Sequence, residues 1–486
     1  MPQRPTVLVV GGGFCGAAVA LHLLRDHPDL PADIVVVEPR AHLGAGLAYG
    51  TPDPEHRVNV AAARMSPFPE HPDHFDAWLR THGDPESDPA SVLPDGRLFP
   101  RRATYGRYVA ETLAAAAAGA GQGPTLRHLR THATAAHTDP AGATVTLATG
   151  DTIRADVLVL AVGHATPDLP AALRALRDAP GLVADPWDTA RLDAIDRAAP
   201  VLVVGTGLTA CDVVASLRAR GHAGPVTMAS RRGLLPRPRT DLPVTPFGRF
   251  DAPPPTTALA LLRATRRAVA AAAAEGRPWE SVIAALREQA RPVWSALPLP
   301  ERRRLLRHLR PFWDVHRFQC APQIDTLLRR ERAAGRVTVL AATPTASRVD
   351  GRALAVDLRP RGATAPATHR FGAVVSCVGP GHRSVVASNP VLRALHDAGT
   401  LHADPLSLGI AVDPRSRVLD TTGRANPRVF VAGPLARERH GELMGLPQVS
   451  TQPREVAADV AGFLKQARPE ALPLDSAKGS PLESCT

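Results

Sequence analysis

Residues 7–39 read VLVVGGGFCGAAVALHLLRDHPDLPADIVVVEP, and this stretch decides the fold. An apolar run over residues 7–10 opens into GGGFCG, residues 11–16. A helical pattern follows over residues 17–24, with apolar side chains recurring every three or four positions, and a second apolar run ends on Glu38. This order of strand, glycine-rich turn, helix, strand and terminal acid predicts a βαβ unit that binds a dinucleotide.

Each residue type in this unit has a physical reason to be there. Gly11 permits the tight turn, Gly13 lets the backbone approach a pyrophosphate, and Gly16 lets the helix and the strand pack closely. The N-terminus of the helix offers free N–H groups and a partial positive charge to the phosphates. Glu38 can accept hydrogen bonds from a ribose diol, so we expect the first nucleotide to lie across this turn.

A second unit of the same kind begins at residue 201. The apolar run 201–204 leads into GTGLTA at residues 205–210, a GxGxxA turn, and a helical pattern follows. The next strand ends on Ser230-Arg231-Arg232 instead of an acid. An acid there selects a free 2′-hydroxyl, whereas serine and arginine suit a 2′-phosphate, which favours NADPH over NADH. The competing interpretation is that two arginines fall there by chance in an arginine-rich chain.

The composition excludes several classes of protein. Among the 57 basic side chains of the 486 residues only Lys465 and Lys478 are lysines, and both lie near the C-terminus. A Schiff-base enzyme or a Walker-type ATPase needs a lysine in the folded body and is therefore excluded. The arginines behind the net charge of +11, in a chain rich in alanine and proline, are typical of a GC-rich genome. They indicate nucleic-acid binding less well, because a nucleic-acid surface interleaves basic and aromatic residues and aromatic residues make up only 4% of the chain.

The five cysteines form no CxxC pair and their number is odd, which argues against a disulfide scaffold, a zinc ribbon and a dithiol reductase. No secretory signal precedes the first strand, and no apolar stretch reaches the roughly 18 residues that a membrane span needs. We therefore expect a soluble, cytoplasmic protein with no membrane partner. A homo-oligomer is left open.

Further strands and one helical region complete the pattern. Residues 156–163 and 373–380 are apolar strands that end in small-residue turns, and 429–434 is another such strand. A helical stretch follows at about residues 451–464. Between about 253 and 335 the sequence becomes helical and arginine-rich, which indicates an insertion.

Taken together, these segments resemble the two-dinucleotide-binding flavoproteins over about residues 5–465. This family includes flavin-dependent monooxygenases and, in one branch, bacterial nitrosuccinate synthases, which oxidise the amine of aspartate. The segments that carry the resemblance are GGGFCG at Gly11, GAGLAYGTPDPEHRVNVAAARMSPF from Gly44, YGRY at Tyr105, GTGLTACD at Gly205, SRRGLLPRP at Ser230 and LRPFWDVHR at Leu309. The long segment from Gly44 resembles the loop that wraps the flavin in this family.

The resemblance implies that the first unit holds FAD and the second holds NADPH. Arg64, Met65 and Ser66 are expected near the isoalloxazine, and Glu442 could approach the same ring, although a solvated loop acid is the alternative. The predicted cofactor contacts are Gly11, Gly13, Phe14, Cys15, Gly16, Glu38, Asn59, Arg64, Met65, Ser66, Gly163, Gly205, Gly207, Thr209, Arg231, Arg232, Gly433 and Glu442.

By the same resemblance, the segment from Arg310 to Arg317 faces the substrate cavity, and its predicted catalytic residues are Arg310, His316 and Arg317. Arg317 could clamp a substrate carboxylate through its two-pronged guanidinium, and His316 could shuttle a proton. The alternative is an Arg–Asp pair that fixes the helical insertion. Many relatives carry a second His-Arg pair where this chain has Phe318-Gln319. That departure removes one cation and weakens the case for a dicarboxylate substrate.

The predicted function is an FAD- and NADPH-dependent monooxygenase. It would N-hydroxylate the amine of a small polar or amino-acid substrate with molecular oxygen, through a hydroperoxyflavin. Alternatives are an NADPH-dependent dehydrogenase or reductase that passes electrons to a quinone or a protein, and a non-catalytic flavoprotein scaffold or sensor.

The predicted fold is α/β, with two Rossmann-like dinucleotide-binding domains and a helical insertion. We expect a discontinuous FAD-binding domain at residues 1–165 and 370–466, and an NADPH-binding domain at residues 166–250 and 336–369. A helical insertion at residues 251–335 is expected to cap the substrate, and residues 467–486 are expected to form a disordered tail.

Overall fold

The computed structural model describes residues 4–164, 167–240, 244–379 and 381–467. Nearly all of the predicted disordered tail, residues 468–486, lies outside the described residues. Within the described ranges, no helix is both long and apolar enough to cross a membrane.

The described chain contains both strands and helices. The strands are β1 (Thr6–Val10), β2 (Asp33–Val37), β3 (Thr125–Leu129), β4 (Ala133–Asp139), β5 (Gly142–Leu147), β6 (Thr152–Ala155), β7 (Val157–Leu160), β8 (Leu182–Val183), β9 (Val201–Val204), β10 (Val226–Ser230), β11 (Val337–Asp350), β12 (Ala353–Pro360), β13 (Ala367–Phe371), β14 (Ala373–Ser376), β15 (Arg417–Leu419) and β16 (Ala425–Val431). The helices are α1 (Phe14–Asp26), α2 (Gly46–Tyr49), α3 (His74–Thr81), α4 (Asp84–Ser87), α5 (Arg102–Ala118), α6 (Thr189–Asp193), α7 (Leu208–Ala219), α8 (Ala258–Ala274), α9 (Glu280–Glu288), α10 (Ala290–Ala296), α11 (Leu299–His308), α12 (Arg310–Arg317), α13 (Pro322–Ala333), α14 (Val385–Ser388), α15 (Pro390–Asp397), α16 (Arg437–His440) and α17 (Gln448–Gln466).

The first sheet has the order β15-β16-β7-β1-β2-β3, and all of its pairs are parallel except β15 with β16. Val7, Leu8 and Val9 of β1 are fully buried, because the strand lies at the centre of a parallel sheet that is covered on both faces. Helix α1 packs against both α5 and α17. The continuous apolar run at residues 7–10 is thus explained by burial on both sides.

The second sheet has the order β13-β12-β11-β10-β9-β14-β8. Its strands from β11 to β8 are parallel, and β12 and β13 extend it as antiparallel neighbours. Strand β14 pairs with β9, so the chain returns to the first sheet only after Ser376. The expected domain boundary at residue 370 would have placed this strand with the first sheet. A third sheet, β4-β5-β6, is antiparallel. The predicted α/β class is confirmed.

Ion pairs join the loop after α2 and the start of α5 to helix α7 of the second sheet. Asp53 Oδ2 lies 2.8 Å from Arg220 Nη1, and Arg102 Nη2 lies 2.7 Å from Asp212 Oδ2. All four side chains are mostly buried, so these contacts hold the two glycine-rich turns in a defined relation.

The helical insertion, helices α8–α12, is entirely helical, and no strand is present between residues 244 and 336. Its small core contains Phe250, Val282 and Val293, with Trp313 partly buried against it. The insertion therefore has a core of its own beside the two sheets.

Candidate active site

The first glycine-rich turn has the backbone that a dinucleotide requires. Gly11 has φ +100°, and a Cβ there would lie 2.4 Å from the carbonyl oxygen of Ala161. A Cβ at Gly16 would lie 2.0 Å from the carbonyl oxygen of Gly11. Gly13 precedes α1, and its only neighbour is Gly46, 3.5 Å from a Cβ at that position. The turn therefore accepts only glycine at residues 11 and 16 and leaves room over residue 13.

Glu38 ends β2 beside this turn and is 4% exposed. Its Oε2 accepts a hydrogen bond from the backbone N–H of Gly12 at 2.9 Å, and its Oε1 accepts one from Arg40 Nη1 at 3.0 Å. The carboxylate is thus fixed at the strand end where a ribose acceptor is expected.

Three neighbouring parallel strands of the first sheet end in glycines at this edge. Gly11 follows β1, Gly163 follows β7 with φ +71°, and Gly433 follows β16 with φ +93°. A Cβ at Gly433 would lie 2.6 Å from Cys15 Sγ, so the strand end packs directly on the phosphate turn. Burial raises the pKa of the Cys15 thiol to about 12, which makes it a packing residue and not a nucleophile.

An orphaned hydroxyl next to this turn also fits a bound cofactor. The ring of Tyr105 lies 5.9 Å from that of Phe14, the first residue of α1. Its hydroxyl is buried and has no hydrogen-bond partner among the described residues. Buried hydroxyls normally find partners, so a cofactor atom is a reasonable one. The cradle and this hydroxyl together fit FAD.

The segment expected around the isoalloxazine is split between the core and a cavity. Met65 and Ser66 are buried, and the Ser66 carbonyl accepts a hydrogen bond from Ser450 Oγ at 2.6 Å. Asn59 Nδ2 instead donates to the carbonyl of Gln319 at 3.2 Å. Asn59 therefore ties this loop to the end of α12.

The second glycine-rich turn repeats the geometry of the first. Gly205 has φ +134°, and a Cβ there would lie 2.2 Å from the carbonyl oxygen of Cys377, whereas Gly207 faces open space. Thr209 lies in the first turn of α7. Oγ1 of Thr206 lies 2.8 Å from Ser230 Oγ and braces the end of β10. The turn fits a second dinucleotide.

The two arginines after β10 have different surroundings. Arg231 is exposed at the strand end. The guanidinium of Arg232 lies 5.0 Å from the ring centroid of Phe312 on α12, a cation–π distance. Arg231 is thus placed in solvent at the expected 2′-phosphate position, whereas Arg232 also links the second sheet to the insertion.

Helix α12 carries the three predicted catalytic residues. Arg310 Nε lies 3.4 Å from Asp314 Oδ2, one turn along the helix. The helix therefore contains an Arg–Asp pair of the kind that could fix the insertion, and it is formed by Arg310. His316 Nδ1 donates to the carbonyl oxygen of Phe312 at 2.7 Å, and its ring meets Trp279 edge-on at 4.9 Å. In neutral His316 this bond leaves Nε2 as the acceptor nitrogen.

Arg317 and Glu442 form a buried ion pair. Arg317 Nε donates to Glu442 Oε1 at 2.7 Å, and the side chains are 3% and 7% exposed. Arg317 Nη2 is buried and has no hydrogen-bond partner within the described residues. Glu442 therefore occupies Nε of this guanidinium, so a two-pronged clamp on a substrate would have to use the Nη1–Nη2 edge or displace Glu442. Glu442, expected near the flavin ring, contacts Arg317.

A small cavity of about 70 Å³, which we call the arginine pocket, lies beside this pair. Its lining includes Arg64, Arg97, Arg239, Arg287, Arg317, His316, Gln319 and Glu280. Burial, with Arg317, Arg64 and Arg97 nearby, lowers the pKa of Arg239 to about 9. Burial, with Arg317 nearby, lowers the pKa of Arg287 well below its usual value. The Nε atoms of Arg239 and Arg287 lack hydrogen-bond partners in the described part of the chain. Such a concentration of buried positive charge is suited to an anion.

Four members of the arginine pocket were missed by the sequence reasoning: Arg97, Arg239, Arg287 and Glu280. Arg97, Arg239 and helix α9, which carries both Glu280 and Arg287, are three separate segments, and no motif marks the three arginines among the 57 basic side chains. Arg239 also donates to the backbone carbonyl of Asn59. Arg287 Nη2 donates to the carbonyl of Leu446 at 2.9 Å, just before α17. The first sheet's loops thereby meet the insertion at this pocket.

A second cavity, which we call the apolar chamber, lies inside the helical insertion and has a volume of about 1070 Å³. Its wall is formed mainly by apolar side chains of α8–α12. It borders the arginine pocket, because Arg239, Thr240, Glu280, Ile283 and His316 line both cavities. Within the described residues, no group of three or more His, Cys, Asp or Glu side chains could hold a metal ion.

Comparisons with known proteins find a family match for the first part of the chain and similar structures for nearly all of it. Residues 8–165 match the family described as FAD-NAD(P)-binding. No curated protein sequence matches the chain. Ornithine hydroxylase from Pseudomonas aeruginosa, in its reduced form, has a TM-score of 0.64 and 14% identity, covering 95% of this chain and 100% of its own.

Two further structures have similar scores. Kutzneria sp. 744 ornithine N-hydroxylase, with reduced FAD, NADP+ and L-ornithine, has a TM-score of 0.61 and 15% identity, covering 96% and 100% of the two chains. L-lysine 6-monooxygenase from Pseudomonas syringae has a TM-score of 0.60 and 20% identity, with 96% and 100% covered. At these identities the likeness establishes a common fold over nearly the whole chain.

Proposed function

Starting from the FAD-NAD(P)-binding domain formed by residues 8–165, we propose that this protein is an FAD- and NADPH-dependent monooxygenase. Its reaction is the N-oxidation of an amine that also carries at least one carboxylate. The fold shared with ornithine and lysine N-hydroxylating enzymes supports the reaction class. The carboxylate requirement comes from the arginine pocket.

The position of the arginine pocket is the observation that carries this proposal. Arg64 comes from the loop expected to wrap the flavin, and Arg239 follows the second nucleotide unit along the chain. Arg287 and Arg317 come from the insertion and contact residues 442–448 just before α17. An anion held here lies where the two nucleotide units and the insertion meet.

The chain's own residues bind and orient the cofactors. The turn at Gly11 with Glu38 would hold the pyrophosphate and a ribose of FAD, and the turn at Gly205 with Arg231 would hold NADPH. Bound FAD, reduced by NADPH, supplies activated oxygen for transfer to the amine nitrogen. No side chain has to act as a nucleophile.

His316 can take a proton from the substrate. An ammonium group has no lone pair, so the amine must lose a proton before it can attack oxygen. The Nδ1–H of His316 is engaged by the carbonyl of Phe312, and its Nε2 is the basic atom in the neutral ring. Because His316 lines the arginine pocket, a carboxylate held by the arginines brings the attached amine towards this nitrogen.

The proposal is tested with FAD-loaded protein and NADPH in air. L-aspartate, L-glutamate, L-ornithine and L-lysine are compared with their decarboxylated counterparts, following NADPH loss, peroxide and N-oxygenated product by mass spectrometry. We expect product with little peroxide from one or more of the amino acids and mainly peroxide from the decarboxylated amines. Fast reduction of a quinone acceptor, with no N-oxygenated product from any amine, would identify a dehydrogenase instead.

Two matched variants separate the arginine pocket from general basic charge. Arg239→Gln removes one cation of the pocket, and Arg303→Gln removes an exposed arginine of α11. We expect Arg239→Gln to raise KM for the amino acid by roughly 10- to 100-fold, as for a charged hydrogen bond. Arg303→Gln should leave KM unchanged, and equal behaviour of the two variants contradicts the assignment.

A further inference from the structure

The helices of the insertion turn apolar faces towards a space that their own side chains do not fill. On α8, Leu261, Thr265 and Val269 follow one another at four-residue spacing and line the apolar chamber. Leu305 on α11 and Trp313 on α12 line it as well. All five remain only partly buried, although the helices that carry them are packed together. Partly exposed apolar groups around such a cavity are stabilised when an apolar ligand fills it.

The size of the apolar chamber excludes a short amino acid as its sole occupant. Pockets for drug-sized ligands measure roughly 300–1,000 Å³, and the chamber measures about 1070 Å³. The carboxylate, the amine and two or three carbons of a substrate fit the arginine pocket and its rim. The remainder of the chamber is available to a much larger apolar group.

The charges at the junction of the two cavities define the polarity of the ligand. Arg239 and His316 line both cavities, and Arg310 and Arg437 lie in the wall of the apolar chamber. Three acids also line the chamber: Asp314, which is paired with Arg310, Glu442, which is paired with Arg317, and Glu280. They are fewer than the five arginines of the same wall, Arg237, Arg239, Arg266, Arg310 and Arg437. A ligand that enters from the chamber therefore meets excess positive charge at its leading end and apolar side chains along its length.

We propose that the arginine pocket and the apolar chamber form one binding site for an amphipathic amino acid. Its carboxylate and amine lie at the arginine pocket, and a long aliphatic or polycyclic tail lies in the apolar chamber. That this ligand is the substrate rests on the proposed monooxygenase function. The binding site itself does not.

Binding is measured by calorimetry on FAD-loaded protein without NADPH, so that no turnover is needed. The probes are 2-aminobutanoate, 2-aminooctanoate, 2-aminododecanoate and dodecylamine. Each buried methylene strengthens binding by about fourfold, so even half of this free-energy gain, about twofold per methylene, gives roughly 250-fold tighter binding of 2-aminododecanoate than of 2-aminobutanoate. Dodecylamine, which lacks the carboxylate, should bind at least tenfold more weakly than 2-aminododecanoate.

Tryptophan substitutions test whether the tail lies in the apolar chamber. Val269→Trp and, separately, Leu305→Trp fill the chamber from two different helices and should weaken 2-aminododecanoate binding at least tenfold while sparing 2-aminobutanoate. Ala270→Trp is the control, because Ala270 is the next residue of α8 and is exposed. FAD content and circular dichroism verify folding, and two chamber variants are used so that one that fails to fold leaves the other.

The outcomes distinguish this inference from the proposed function. Affinity that is independent of chain length, or wild-type binding of 2-aminododecanoate by a folded chamber variant, overturns the amphipathic ligand. Chain-length-dependent binding without any N-oxygenated product overturns the monooxygenase but leaves the binding site. Dodecylamine binding as tightly as 2-aminododecanoate overturns the anionic head group.

Discussion

Arg317 and Glu442 form a buried ion pair, and we predict that replacing Glu442 costs more unfolding free energy than replacing Arg317. Replacing one partner of a buried ion pair usually costs about 3–5 kcal/mol, because the other charge stays buried without compensation. Here Glu442 is the partner that neutralises one cation of the arginine pocket. Glu442→Gln should therefore cost about 3–5 kcal/mol of unfolding free energy, since Arg317 then faces Arg239 and Arg287 unpaired.

Arg317→Gln should cost less. It leaves Glu442 buried, but Arg287 and Arg437 both interact electrostatically with that carboxylate and partly replace the lost partner. It also removes a like charge from beside Arg239, whose pKa is lowered by burial and by the neighbouring arginines. We expect a loss of about 1–3 kcal/mol, similar to one unsatisfied buried group. The difference of about 2 kcal/mol corresponds to roughly 30-fold in the unfolding equilibrium.

The assay is urea unfolding with excess FAD, followed by circular dichroism and by tryptophan fluorescence so that coincident transitions can be verified. Arg310→Gln is the matched control, because the Arg310–Asp314 pair lies on the same helix but is about one-third exposed, and its loss should cost at most about 1 kcal/mol. Malonate, a dianion, should stabilise Glu442→Gln more than the unaltered protein. Equal losses for Glu442→Gln and Arg317→Gln, or a greater loss for the latter, would refute the reasoning.

Three other predictions concern the nucleotide turns and the edge of the first sheet. Gly205→Ala forces a methyl group against the Cys377 carbonyl at positive φ and should destabilise the protein by at least about 1–3 kcal/mol in urea, whereas Gly207→Ala, which faces open space, should keep its stability and raise KM for NADPH. Arg231→Ala should raise KM for NADPH roughly 10- to 100-fold and leave KM for NADH unchanged in steady-state kinetics; equal effects on both would remove the 2′-phosphate contact. Burial lowers the pKa of His440 from 6.5 to about 4, so the unfolded chain takes up the proton first and stability present above pH 6.5 is lost as the pH falls towards 4. His440 should contribute about 3 kcal/mol to this loss in urea titrations, and the loss should be smaller by about that amount in His440→Gln.

The parts of the fold that depend on local pattern could be predicted from the sequence. The run predicted at residues 201–204 coincides with β9, and the run at 7–10 with most of β1. Strands buried on both faces of a parallel sheet are continuously apolar, so their sequence marks them directly. The glycines at residues 11 and 205 were predictable for the same reason, because their backbone conformation excludes a side chain.

Sheet membership could not be predicted in the same way. Strand β14 and strand β7 both read as an apolar run followed by a small-residue turn, yet β14 pairs with β9 and β7 with β1. The pattern reports burial but not the neighbour, which is set by pairing between residues more than a hundred positions apart. The division of the chain into domains, including the boundary expected at residue 370, therefore remains a proposal.

The cysteines illustrate the limit of arguments from spacing. No two lie in a CxxC pair, and this was the reason for excluding dithiol chemistry. In the structure, Cys211 and Cys320 are both free thiols in the core of the second sheet. A hydrogen bond with the Cys320 thiol, together with burial, raises the pKa of Cys211 well above its usual value. A buried thiol of this kind is a poor nucleophile. The argument against dithiol reductase chemistry therefore rests on the burial of these thiols and not on the spacing of the cysteines in the sequence.

Gln319 shows why the loss of a cation at one position does not decide the substrate. Its Nε2 donates to the carbonyl of Pro238 at 3.0 Å and contacts Glu280 Oε1 at 3.3 Å, while its Oε1 accepts from Arg239 Nη1 at 3.3 Å. The neutral amide donates on one side and accepts on the other, whereas an arginine at this position has no acceptor for Arg239. A cation at residue 319 would add to a pocket in which the pKa of Arg239 is already lowered to about 9. The departure from the resembling family is therefore compatible with an anionic substrate, because the arginines that hold the anion come from other segments of the chain.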